Sequence, residues 1–183
     1  MLSHVNKEYI LMTNLKHYFL KKENKILFVS IINESHPVSL RIIDWFVTNY
    51  SKNNAKKIFT DLKLDIYNNY KSQLKAYNKK LFDPFCRNHK HDCDSKFNFF
   101  YDSDNPQKYI VTTIGQLNFF RWAFENNIIP YINLILEDIK NDIKVKGNGI
   151  KKNNVKTKRN EKEDQDTQLH EKIYDNSEFS ITF

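Results

Sequence analysis

Between residues 1 and 146 there is a single glycine, Gly115. That scarcity limits both the fold and its chemistry. A phosphate-cradling loop or a dinucleotide fingerprint needs several glycines, because the backbone must turn tightly and approach phosphate closely. P-loop nucleotide hydrolysis is therefore excluded, and most nicotinamide and flavin chemistry with it. No cofactor is expected. The turns must be marked by other residues, and Pro37, Asp83-Pro84, Asn105-Pro106 and Asn126-Asn127 do so.

The stretch 67–87, YNNYKSQLKAYNKKLFDPFCR, organises the rest. Tyr67, Tyr70, Leu74, Tyr77 and Leu81 recur at spacings of three and four, which predicts a helix over 67–82 with these residues on one side. Lys71, Lys75 and Lys79 run along an adjacent side, with Lys80 further round. Asp83-Pro84 ends the helix, since proline disfavours the α region for the residue before it. Phe82 and Phe85 bracket the turn and are expected to point inward. The basic stripe has two readings: a solvated helix face whose lysine stems cover apolar surface, or a phosphate-contacting face.

Elsewhere the pattern predicts a helix over roughly 6–21 and a buried strand at 25–32, KILFVSII. Ser39 is a candidate N-cap for a helix carrying Leu40, Ile43, Phe46, Val47 and Tyr50. Residues 51–57 read as a polar loop and 58–66 as a short strand. Residues 97–101 and 109–114 read as two strands joined at Asn105-Pro106. Helices follow over 116–127 and from Pro130 onward, the latter ending at Gly147 and Gly149. The expected fold class is α+β, with four or five helices packed on a small, mainly antiparallel sheet over 1–146. A winged-helix-like arrangement is one analogy. Residues 147–172 read as a flexible charged linker, too poor in apolar residues to order. Residues 173–183 recover apolar residues with some alternation and read as an edge strand or a docking segment for a protein partner.

The formal net charge of +7 favours an anionic partner. AT-rich codons offer a second cause for the excess of lysine, so the charge alone is a weak argument. Two cysteines, Cys86 and Cys93, argue against a disulfide-stapled secreted domain. No apolar run reaches the length of a membrane span, and no signal-peptide pattern opens the chain, so no membrane partner is expected.

Catalytic constellations are lacking. Cys86, His89, His91 and Cys93 are all zinc-ligand types, but four ligands within one short loop can hardly close a tetrahedron. No metal is expected. Asp83, Asp92, Asp94, Asp102, Asp104 and Glu125 sit mostly in loops, where Asp is common for backbone reasons. There is no Gly-x-Ser-x-Gly elbow. The aromatic pair Phe119 and Phe120 and the neighbouring Trp122 follow a helical period that favours core packing over base stacking. Two basic patches remain for binding. One is Lys71, Lys75, Lys79 and Lys80 with Arg87; the other is Lys151, Lys152, Lys156, Lys158 and Arg159, which also looks like a nuclear-import signal.

The blocks 71–87 and 112–132, with IIDWFVTNY at 42–50, resemble an uncharacterised protein family of the large nucleocytoplasmic (giant) DNA viruses of eukaryotes. The resemblance covers about 38–135. It implies a viral protein acting in host cytoplasm, the virus factory or the virion, with the nucleus as an alternative destination. In that setting the partner of the 173–183 segment would be a viral protein. The resemblance carries no activity or catalytic residue with it, and His89, His91 and Cys93 fall outside its pattern. The expectation is a non-enzymatic nucleic-acid-binding accessory protein, contacting DNA or RNA mainly through phosphate. The alternative is an interaction or structural module of the virion or factory, and an enzyme of unrecognised type stays open.

Overall fold

The computed structural model describes residues 7–87, 96–102, 105 and 107–146. The fold is α+β; up to Leu134 it has eight α-helices, more than the four or five expected, and the described residues hold one two-stranded antiparallel sheet. The helices are α1 (Lys7–Leu20), α2 (Lys22–Ile32), α3 (Leu40–Trp45), α4 (Ser51–Asn53), α5 (Ala55–Leu62), α6 (Ile66–Leu81), α7 (Ile114–Glu125) and α8 (Ile128–Leu134). A π-helical turn, Phe46–Tyr50, joins α3 to α4. Strands β1 (Lys96–Phe100) and β2 (Tyr109–Thr113) form the predicted hairpin, with Phe97 opposite Thr112 and Phe99 opposite Ile110. Met1–Lys140 is one compact unit and Asn141–Phe183 a second. In the second, the described residues 141–146 are helical, with Lys146 Nζ 2.6 Å from Asp142 Oδ1. The linker and C-terminal peptide expected beyond 146 lie outside the described residues.

Four stretches differ from expectation. Residues 25–32 are helical, not a strand. Phe28 is fully buried while Ile26 is 54% exposed, yet a strand would set both on one face. A continuous apolar run has no period of its own to distinguish the two states. Residues 58–66 also turn out helical in their first part: Ile58 is buried in α5 and Phe59, beside it, is 54% exposed. The polar residues 51–57, read as a loop, are instead α4 and the start of α5. Finally, Pro130 is the third residue of α8 rather than its first, and a turn at Ile135 interrupts the helix expected to run on to 146.

The buried α7 organises the core. Gly115 to Phe120, Trp122 and Ala123 are all buried, which bears out the core reading of Phe119, Phe120 and Trp122. Thr113 caps the helix, its side chain accepting from the Gln116 N–H. Helices α1, α6 and α8 and strand β2 all pack against it. Phe28 meets Phe120 edge-on, with ring centroids 5.1 Å apart, and Phe82 meets Phe119 at 5.4 Å. Two buried amides tie α7 to the end of α6: Asn118 Nδ2 donates to Leu81 O (2.8 Å) and Gln116 Nε2 to Pro84 O (2.9 Å).

Candidate nucleic-acid interface

Helix α6 starts where Lys63, in a left-handed conformation, closes α5. Asp65 then caps α6: its Oδ1 accepts the Asn68 N–H at 3.0 Å. Helices α4 and α5 both pack against α6. On that surface Tyr67 is a common platform for two cations. Lys71 Nζ lies 5.6 Å from its ring centroid, and Lys52 Nζ, from α4, lies 5.7 Å from it. Lys75 follows Lys71 one turn later and is exposed, as are Lys52 and Lys71. None of the three makes an ion pair among the described residues. The sequence gives no sign of Lys52 as a site residue, because 51–57 read as loop. Its approach to Tyr67 is made by packing between helices and has no local signal.

The other predicted residues do not join this cluster as a stripe. At Asn78 (φ 55°, ψ 179°) the backbone leaves the helix, and the Asn78 side chain accepts the Lys80 N–H at 2.9 Å. Asparagine tolerates positive φ better than most residues. Lys79 remains exposed, but the break takes it out of the register of Lys71 and Lys75. Lys80 is held by Glu8, Nζ to Oε1 2.9 Å. Arg87 is half-exposed and stacks on Phe85 at 4.5 Å, with Nε 3.5 Å from Asp83 Oδ2. Phe82 is buried at the turn, as expected of it, whereas Phe85 is only half-buried. Lys151, Lys152, Lys156, Lys158 and Arg159, with His89, His91 and Cys93, lie outside the described residues.

Near the basic face is a polar cluster of Asp44, Tyr70, Asp83 and Arg87. Burial, then the carboxylates of Asp44 and Asp83, push the Tyr70 hydroxyl up to about 12, against the opposing charge of Arg87. Burial likewise raises the Asp44 carboxyl, Arg87 opposing and Asp83 reinforcing the shift. A carboxyl raised on folding contributes stability that is complete below its unfolded pKa and is lost as pH rises through its folded value. Asp44→Asn is therefore expected to raise the thermal midpoint at pH 7 by about 2 °C or more, a gain that fades as pH falls toward ~4. Melting curves of both proteins across that range check it. Burial raises the Cys86 thiol above its ordinary range, which disfavours the thiolate.

Comparison with known proteins gives the lineage. The profile of a family of unknown function, DUF7197, matches residues 3–182. The chain is also 39% identical, over 155 residues, to the uncharacterised protein L507 of Acanthamoeba polyphaga mimivirus. That match covers 79% of this chain and 57% of the mimivirus protein, so the chain spans little more than half of that relative. No solved structure matches. With nearly its whole length matched by the profile and a giant-virus relative at this identity, the chain belongs to DUF7197, a family of unknown function.

Proposed function

We propose that this protein is a non-enzymatic nucleic-acid-binding accessory protein of a large DNA virus, serving transcription, replication or packaging, and that it contacts phosphate through Lys52, Lys71 and Lys75. The observation that carries this reading is the pair of lysines converging on Tyr67, with no carboxylate pairing them among the described residues. Two cations near one ring repel each other, and a phosphate between them relieves that repulsion. The ring adds a surface on which a base of a single strand can stack. The tail cluster Lys151, Lys152, Lys156, Lys158 and Arg159 supplies a second, less specific contact in this reading.

Fluorescence anisotropy on duplex DNA, single-stranded DNA and RNA at several salt concentrations tests it. The proteins are the full chain, a Lys52→Glu/Lys71→Glu/Lys75→Glu variant, and a full chain with the five tail cations changed to Gln. The helix variant is expected to bind at least ~10-fold more weakly, and its log–log salt slope on duplex to shrink by roughly 0.9 for each phosphate it no longer neutralises. Weakening confined to the tail variant would move the site to 151–159. No binding by the full chain at low salt would sink the proposal.

One observation favours the second reading, a protein-interaction or structural module. The outer face of the hairpin exposes Phe100 (57%), Tyr109 (46%) and Val111 (47%), and the first two rings lie 5.8 Å apart across the strands. Exposed apolar residues gathered on one sheet face suit a protein partner.

A further inference from the structure

Beside β1, a cavity of about 510 Å³ opens between that strand and α1. Its wall is formed by Met12, Phe19, Leu20, Phe97, Phe99 and Leu117. Phe19 and Leu117 are buried at its floor, whereas Leu20 is 74% exposed at its mouth. Lys16 and Lys25 bring two positive charges to the same lining. Neither lysine makes an ion pair among the described residues, and no carboxylate lines the cavity. We infer that this cavity binds a long-chain fatty acid, its chain among the phenylalanines and its carboxylate between Lys16 and Lys25.

The chemistry of the wall selects this ligand. Its volume falls in the range of about 300–1,000 Å³ typical of small-molecule sites, which are apolar with a few placed polar groups. A peptide segment laid here would bury a row of backbone N–H and C=O groups against a lining whose polar side chains are only Asn98, Lys16 and Lys25, at a cost an acyl chain avoids. A membrane surface would meet a projecting apolar face, whereas this one is concave. The two lysine charges at the cavity call for an anion rather than a neutral lipid.

The test is displacement of a dansyl-labelled fatty acid from the full chain by oleate, with oleyl alcohol as the uncharged analogue. Saturable one-to-one binding is expected, with oleate displacing the probe at least ~10-fold better than the alcohol. Lys16→Glu/Lys25→Glu is expected to abolish that preference, and Met12→Trp to block both ligands by filling the cavity. Circular dichroism checks the folding of each variant. If Met12→Trp fails to fold, the charge-reversal variant, altered only at side chains that are not buried, still decides. Equal affinity for oleate and the alcohol would overturn the inference, as would probe binding untouched by folded Met12→Trp. So would a dimer that excludes the probe and is broken by Leu20→Glu, since that result would assign the groove to a second copy of the chain.

Discussion

Phe82→Ala is expected to cost about 3–5 kcal/mol, a large share of the roughly 5–15 kcal/mol that keeps a domain folded. Phe82 has no exposed surface and stands where α6 ends. Its ring centroid lies 5.4 Å from Phe119, 5.6 Å from Trp122 and 5.8 Å from Tyr70. Deleting it opens a void walled by other large rings, which collapse poorly because each is held by neighbours of its own. The forfeited burial and the void add together. In a chain of this size the thermal midpoint should fall by about 10 °C. Phe82→Leu, which keeps most of the volume, should cost less than about half as much. Denaturant melts of the three proteins measure this, and a change below ~1 kcal/mol for the alanine variant would show that Phe82 is not enclosed as described.

The elements legible in the sequence are those whose local chemistry and period agree. The hairpin is marked by two short aromatic and β-branched runs around Asn105-Pro106. Ser39 is recognisable as a cap, and its Oγ accepts the Ile42 N–H at 3.4 Å. The dense aromatic period of 117–124 points to a core helix, and α7 is one. Illegible elements are those where tertiary packing chose between two states. Ile26 and Phe28 belong to a run apolar enough for either strand or helix, and only the burial of one and exposure of the other settles it. The break at Ile135 has no proline or glycine beside it to mark it.

The candidate interface is legible in part. The i, i+4 spacing of Lys71 and Lys75 survives in α6, but the same spacing carried on to Lys79 fails, because an asparagine at 78 adopts a conformation that periodicity does not foresee. Lys52 could be found only through space. The lysines that the sequence grouped into one stripe are thus divided by partner: Lys71 by an aromatic ring, Lys80 by a carboxylate. That division matters for function, since a cation already paired with a carboxylate must give up that pairing to reach phosphate.

Gly115→Ala should destabilise the fold by about 1–3 kcal/mol, and Gly115→Val by more. The reason is close approach, not conformation, for no glycine among the described residues has a positive φ. A Cβ built on Gly115 would lie 2.7 Å from the carbonyl oxygen of Lys80 and 3.2 Å from the Phe82 nitrogen. Both are backbone atoms and cannot swing aside. The turn after α6 is pinned at that point by three hydrogen bonds, because the Asp83 N–H donates to Gly115 O (3.2 Å), Asn118 to Leu81 O and Gln116 to Pro84 O. Making room for one methyl therefore strains all of them. The sign of the effect is diagnostic. In an open helix the same change would stabilise by up to about 1 kcal/mol, since alanine is the better helix former. A higher midpoint for Gly115→Ala would thus refute the close approach. Coupling gives a second check: if the turn is the strained part, Asn118→Ala frees Leu81 O and lets it move, so the two substitutions together should cost less than the sum of each alone.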